Sequence, residues 1–223
     1  MTDAEFDRAL VGAAFALAAE RGWPRVSVAE AARRAELPLD RARARFPVRA
    51  VILLRFGSLA DQSALVPAPA EASARDRLFE ILMRRIDALQ AHRAGVLALL
   101  RCLPADPCTA ALLAGASLRS MGWMLAGAGI EATGPRGRLR TKGLLAVWLA
   151  TVHAWRSDAG EDLAATMAAL DRALRRAEQV EGWLSGRRTA EDAPPAPPEA
   201  PVAEAAPEPV PDTPANDSTP PDA

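Results

Sequence analysis

Three arginines alternate along Pro38-Leu39-Asp40-Arg41-Ala42-Arg43-Ala44-Arg45-Phe46. If this run is helical, Arg41 and Arg45 share one face and Arg43 turns aside. Arginine forks onto guanine edges and phosphates alike. The run therefore predicts contact with double-stranded DNA, with Arg41 and Arg45 in the groove and Arg43 and Arg49 on the backbone. The other reading is a solvated arginine face on a head that does not bind DNA. From Arg21 to Phe56 nine arginines stand against Glu30, Glu36 and Asp40, a local +6 of the kind that meets phosphates.

Other residue types that do chemistry are sparse. His92 and His153 are the two histidines, and neither has a nucleophile or ligand partner at a telling spacing. The glycines Gly115, Gly122, Gly127 and Gly129 lie within or at the end of an apolar helix rather than after a strand, so no phosphate-cradling loop is expected. Asp158, Asp162 and Asp171 read as capping and pairing acids around a helix start. Cys102 and Cys108 flank Pro104 and Pro107 and read as buried thiols of a reducing cytoplasm. Neither catalysis, a bound metal nor a cofactor is expected. Met83, Met121, Trp123, Met124, Trp148 and His153 fall on different expected helices. They predict either plain core or an apolar pocket for a small hydrophobic effector.

These residues must be carried by helices. The chain has 223 residues, half of them hydrophobic, few aromatic and none tyrosine. Alanine, leucine, arginine and glutamate lose little on entering a helix, so an all-α fold is expected. No stretch of about 18 uncharged apolar residues occurs, and Met1 to Arg8 lack the pattern of a secretory signal. A cytoplasmic protein without a membrane span is expected.

Asp3 is the expected cap of a first helix whose apolar residues run from Phe6 to Ala18 at spacings of three and four. Gly22 and Pro24 end it. Ser27, three before Glu30, opens a second helix over 28–35. Pro38 opens a third over 39–45, and Pro47 a fourth through Leu59. Two short helices behind a longer one make a tri-helical DNA-binding shape. Residues 1–60 are thus the expected helix-turn-helix domain and 61–72 a connector.

Residues 73–185 form the expected ligand-binding and dimerisation body. A long helix from Ser73 places Arg75, Arg84 and Arg85 on its polar side and bends near His92 or Gly95. A helix over 109–129, apolar nearly all round, is expected to be buried on most sides. Two more follow, roughly 139–155 and 162–183. From Ala190 onward there are eight acids, no base and eleven prolines among 34 residues. Removing those acids from the total of 28 leaves 20 against 27 bases, a net of +7 for residues 1–189. The segment 186–223 reads as a disordered Pro/Ala/acidic tail.

Residues 19–37, with Gly22, Trp23, Ser27, Val28, Ala31, Ala32, Ala35 and Leu37, resemble the head of the TetR/AcrR-type transcriptional regulators. Phe46-Pro47 falls at that family's Phe-Pro junction into the fourth helix. The resemblance covers about residues 5–60. It implies a DNA-binding homodimer, a repressor released by a small ligand, held by a four-helix interface of the last two helices and their symmetry mates. Ser27 would then reach a DNA phosphate. The family's Leu-Tyr pair in the third helix is replaced here by Ala42-Arg43. A second run, Trp148, Thr151, Trp155, Asp158, Asp162, Thr166, Leu170 and Asp171, is similar to a TetR-fold group that binds lipids and assists ubiquinone biosynthesis. That resemblance implies an accessory protein without specific DNA binding.

Overall fold

The computed structural model describes residues 1–66, 72–160 and 162–189, the last nine of them by backbone alone. All regular structure among the described residues is helical. In the head, α1 (Asp3–Arg21) is followed by a 3-10 turn at Trp23–Arg25, then α2 (Val28–Arg34), α3 (Leu39–Arg45) and α4 (Arg49–Ala64). The body holds α5 (Ala74–Gln90), α6 (Arg93–Cys102), α7 (Pro107–Gly127), α8 (Gly134–Ser157) and α9 (Ala164–Thr189). The backbone of 186–189 belongs to α9, and the remainder of the expected tail lies outside the described residues.

The first cap is Thr2 rather than Asp3. Its Oγ1 accepts from the Glu5 amide at 3.3 Å, and the Glu5 carboxylate accepts from the Thr2 amide at 2.7 Å. This reciprocal pair satisfies two amides at once and leaves the Asp3 side chain available elsewhere. Gly22 ends α1 at φ 84°, a conformation that costs glycine little. Ser27 caps α2 as expected, accepting from the Glu30 amide at 3.2 Å. At the other end of α2, Glu36 takes φ 54° while the Leu37 amide reaches back to the Ala32 carbonyl at 2.9 Å. That is a glycine-type helix stop made with a side chain present.

Phe6, Leu10, Phe15, Ala31, Ala32, Ala42, Phe46 and Ile52 are buried where α1 to α4 meet. Alanines at the α2–α3 contact let the two short helices approach closely. The head is joined to the body by a ring cluster: Phe15 lies 4.5 Å from Phe56 and 5.7 Å from His92, centroid to centroid. Gly95 completes the joint, because a Cβ there would stand 2.2 Å from the Phe15 carbonyl oxygen. The α6 backbone therefore rests directly on α1. The bend expected near His92 is the break between α5 and α6.

Two expectations about the body change. The α7 helix buries only Ser120, Met121, Met124 and Leu125, the face it turns to α4, α5 and α8. Its opposite face is open, and Trp123 is 67% exposed. Composition showed an apolar helix but not how few neighbours it has. Likewise Cys108 is exposed, while Cys102 is half-buried and donates to the Leu99 carbonyl. The α8 helix also starts earlier than expected, at Gly134, because Pro135 fits a first turn whose amides have no partner within the helix. Among the described residues no single helix is long and apolar enough to cross a membrane.

Candidate nucleic-acid interface

The arginine-rich α3 packs against the first turns of α1. Arg45 closes a fork on Asp7, Nε to Oδ1 at 2.7 Å and Nη2 to Oδ2 at 2.8 Å, and its Nη1 lies 2.7 Å from Asp3 Oδ2. Arg55 of α4 adds a third contact, Nε to Asp7 Oδ2 at 3.0 Å. Asp7 itself is 3% exposed. Arg41 reaches Asp3 Oδ1 at 2.5 Å, with its guanidinium 4.5 Å from the Phe6 ring centroid. The Arg41 hydrogen bond, helped by the charge of Arg45, holds the Asp3 carboxyl below its ordinary range. The Asp7 hydrogen bond raises Arg45 above the usual arginine value.

Paired arginine–carboxylate forks fix direction as well as distance. Here the Arg45–Asp7 fork, with the single Arg41–Asp3 bond beside it, turns Arg41 and Arg45 inward, onto α1, and fixes the pose of α3. The outward face of α3 is Leu39, Asp40, Arg43 and Ala44, all exposed. Arg43 is the one cation on that face. Its Nη1 donates to the Pro47 carbonyl at 2.6 Å, which leaves its charge uncompensated. Arg49 is likewise satisfied by carbonyls, those of Trp23 at 3.2 Å and Pro24 at 2.7 Å, and lies over the Trp23 ring. Ser27 is exposed at the start of α2, where its hydroxyl donates to Glu30 Oε2 at 3.1 Å.

Of the nine arginines between 21 and 56, five are in ion pairs: Arg21 with Glu30, Arg34 with Glu20, Arg41 with Asp3, Arg45 with Asp3 and Asp7, Arg55 with Asp7. Arg25 and Arg33 are exposed and have no ion-pair partner among the described residues. Sequence reasoning passed over both. No acid stands three or four residues from Arg25, and that absence was the available signal.

The six residues of the expected effector pocket do not converge. Met121, Met124 and Trp148 are buried in the core, with Met83 packed against it. Trp123 points outward from α7, and His153 is exposed on α8 beside a separate hollow. Close to Trp148 lies a polar group that the sequence did not suggest. Arg85, expected on the polar side of α5, is 5% exposed, ion-paired with Asp61 of α4, and 5.0 Å from the Trp148 ring centroid. Ser120 of α7 donates to the second oxygen of Asp61 at 2.6 Å. Burial pulls the Arg85 guanidinium down to about 10.

The second sequence run has structural duties. Asp158 Oδ2 accepts from the amide and hydroxyl of buried Thr166, at 2.8 and 2.7 Å, and so closes the α8–α9 turn. These bonds keep the Asp158 carboxyl below its ordinary range. Trp155 donates to Gln90 at 2.8 Å, Thr151 and Leu170 are buried, and Asp171 pairs with Arg75 and Arg175.

No family model matches the chain, and no curated protein matches it in sequence. Solved structures do. A TetR transcriptional regulator from Nitrosomonas europaea ATCC 19718 is similar at 22% identity and TM-score 0.63, over 78% of this chain and 99% of that one. A tetR-family transcriptional regulator from Streptomyces coelicolor is similar at 20% identity and TM-score 0.57, over 89% and 94% of the two chains. A TetR transcriptional regulator from Rhodococcus sp. RHA1 is similar at 20% identity and TM-score 0.53, over 76% and 93%. What is shared at such identities is the fold: an all-α chain of TetR type.

Proposed function

We propose that this chain is a cytoplasmic, DNA-binding transcriptional regulator of TetR type, not an enzyme, that acts as a homodimer. The observation that carries the reading is the helix-turn-helix head, braced by its own ion pairs and set on a body of the same fold as three regulators. Residues 1–60 are the DNA-binding part and 73–185 the effector and dimer part. Arg43, Arg25, Arg33 and the Ser27 hydroxyl meet the DNA, mostly at phosphates. Arg41 and Arg45 act as positioning residues for α3. Dimerisation runs through α8 and α9, whose exposed Leu139, Leu149, Met167 and Val180 are supporting features. Repression relieved by a small hydrophobic effector follows the resemblance of the head.

The test is titration of the purified protein with duplex DNA from upstream of its own coding region, at several salt concentrations. Specific binding is expected, with affinity falling steeply as salt rises. Arg43→Ala should weaken binding on all sequences alike and reduce the salt slope by about 1. Equal, weak affinity for every fragment would overturn the reading and favour a TetR-fold protein that does not read DNA.

A further inference from the structure

We propose that the hollow between the last turns of α6 and α8 is a binding site for a small organic oxyanion: a phosphate monoester or carboxylate on a compact apolar body. The hollow is open to solvent, offers about 310 Å³ and is lined by Leu97 and Arg101 of α6 and by His153, Arg156 and Ser157 of α8. Arg93, Leu97 and Arg101 follow one another at spacings of four, so one face of α6 looks toward the end of α8. Two arginines, a histidine and a serine, all exposed, thus share the hollow with one half-buried leucine.

Arginines near a helix C-terminus ordinarily answer its exposed carbonyls. At α8 that need is already met. Arg93 donates to the carbonyls of Trp155 at 3.1 Å and Asp158 at 2.7 Å, with a longer contact to Arg156 at 3.4 Å. Its guanidinium also lies 4.7 Å from the Trp155 ring centroid. Arg101 and Arg156 are therefore surplus to the helix end, and neither has an ion-pair partner among the described residues. The acids nearest in sequence face away. Asp158 is turned into the α9 turn by Thr166 and Gly160, and Asp106 caps α7 through Thr109. Among the described residues the rim is rich in donors and carries no carboxylate.

A planar guanidinium fork matches phosphate and carboxylate oxygens, and two forks on one anion bind it more tightly than either alone. The volume sits at the lower end for ligand pockets. That suits a compact ligand, and Leu97 offers it an apolar contact. The site owes nothing to the DNA-binding reading, since it lies outside the residues assigned to DNA and outside the expected effector core except for His153.

Calorimetric titration of the full chain at low salt tests the proposal, with inorganic phosphate, phenyl phosphate and benzoate as probes. Sub-millimolar binding of phenyl phosphate or benzoate is expected, with inorganic phosphate weaker because it lacks the apolar body. The ratio of the first two distinguishes phosphate from carboxylate as the preferred group. Arg101→Ala combined with Arg156→Ala should weaken binding by about tenfold or more while leaving the thermal melt in place. Arg136→Ala with Arg138→Ala, which removes equal charge elsewhere, should leave it unchanged. No binding of any probe at millimolar concentration, or equal loss in both double variants, would overturn the proposal.

Discussion

Head and body both set arginines against aspartates, with the burial reversed. In the head the acid is inside: Asp7 is enclosed while Arg45 and Arg55 approach it from the surface, and Asp3 and Arg41 extend the lattice outward. In the body the base is inside: Arg85 is enclosed between α4, α5, α7 and α8 with Asp61 and Ser120 as its company. A guanidinium at the surface keeps part of its hydration and forms several partial contacts. A buried one has lost its water and depends on a single acid. The head lattice is therefore a positioning device that salt can loosen, whereas the body pair is a tie between α4 and the rest of the fold that salt barely reaches.

The sharpest break is to remove one member of the buried pair. Arg85→Ala leaves Asp61, whose side chain is 17% exposed, with only Ser120 as donor, and should cost about 3–5 kcal/mol of unfolding free energy in urea. Arg85→Met with Asp61→Leu should recover most of that loss, because no charge then remains to be compensated. A single variant costing under about 1 kcal/mol would place the pair with ordinary surface bridges.

The joint between the two regions should respond to pH. Burial among Phe15 and Phe56 pushes the His92 imidazole below its ordinary 6.5. The unfolded chain then takes up the proton first, so this group's stabilisation is full above about pH 6.5 and declines as pH falls toward the depressed value. Asp3 and Asp158, held below 3.8, retain their contribution down to about that pH and lose it as pH falls through their lowered values. Urea midpoints should therefore fall in two stages on acidification, and His92→Phe should remove the upper stage alone. An upper stage that survives in the variant would assign it to another group.

Sequence reading recovered the head well, because its signals are local: Gly22 with Pro24, Ser27 three before Glu30, and apolar residues at helical spacing through α1. It recovered helices but not faces in the body. Trp123 and Met124 are neighbours in a uniformly apolar run, and only the packing of α7 on one side decides that the first is exposed and the second buried. The arginines of α3 show the same dependence on packing. Arg41 and Arg45 were correctly placed on one face of α3, yet which way that face turns depends on Asp3 and Asp7, nearly forty residues earlier. Charge counting registers that arginines are present. It cannot register that an acid from another helix has already engaged them.

That gap yields the smallest effect, and it bears most directly on the comparison. Asp3 is mostly exposed and holds Arg41 and one nitrogen of Arg45, while Asp7 keeps the main fork. Asp3→Asn should thus leave α3 in place and free the Arg41 charge at the edge of the candidate interface. Duplex DNA carries a dense line of phosphates, and each additional neutralised phosphate steepens the dependence of log affinity on log salt by about 0.9. Non-specific affinity at low salt should rise a few-fold and the salt slope should steepen by up to about 1. Thr2 and Glu5 still cap α1, so the helix start survives the change. If affinity and slope both stay at the wild-type values while the melt is unaltered, Arg41 does not approach the phosphates even when released. The head lattice would then serve only to hold α3 against α1.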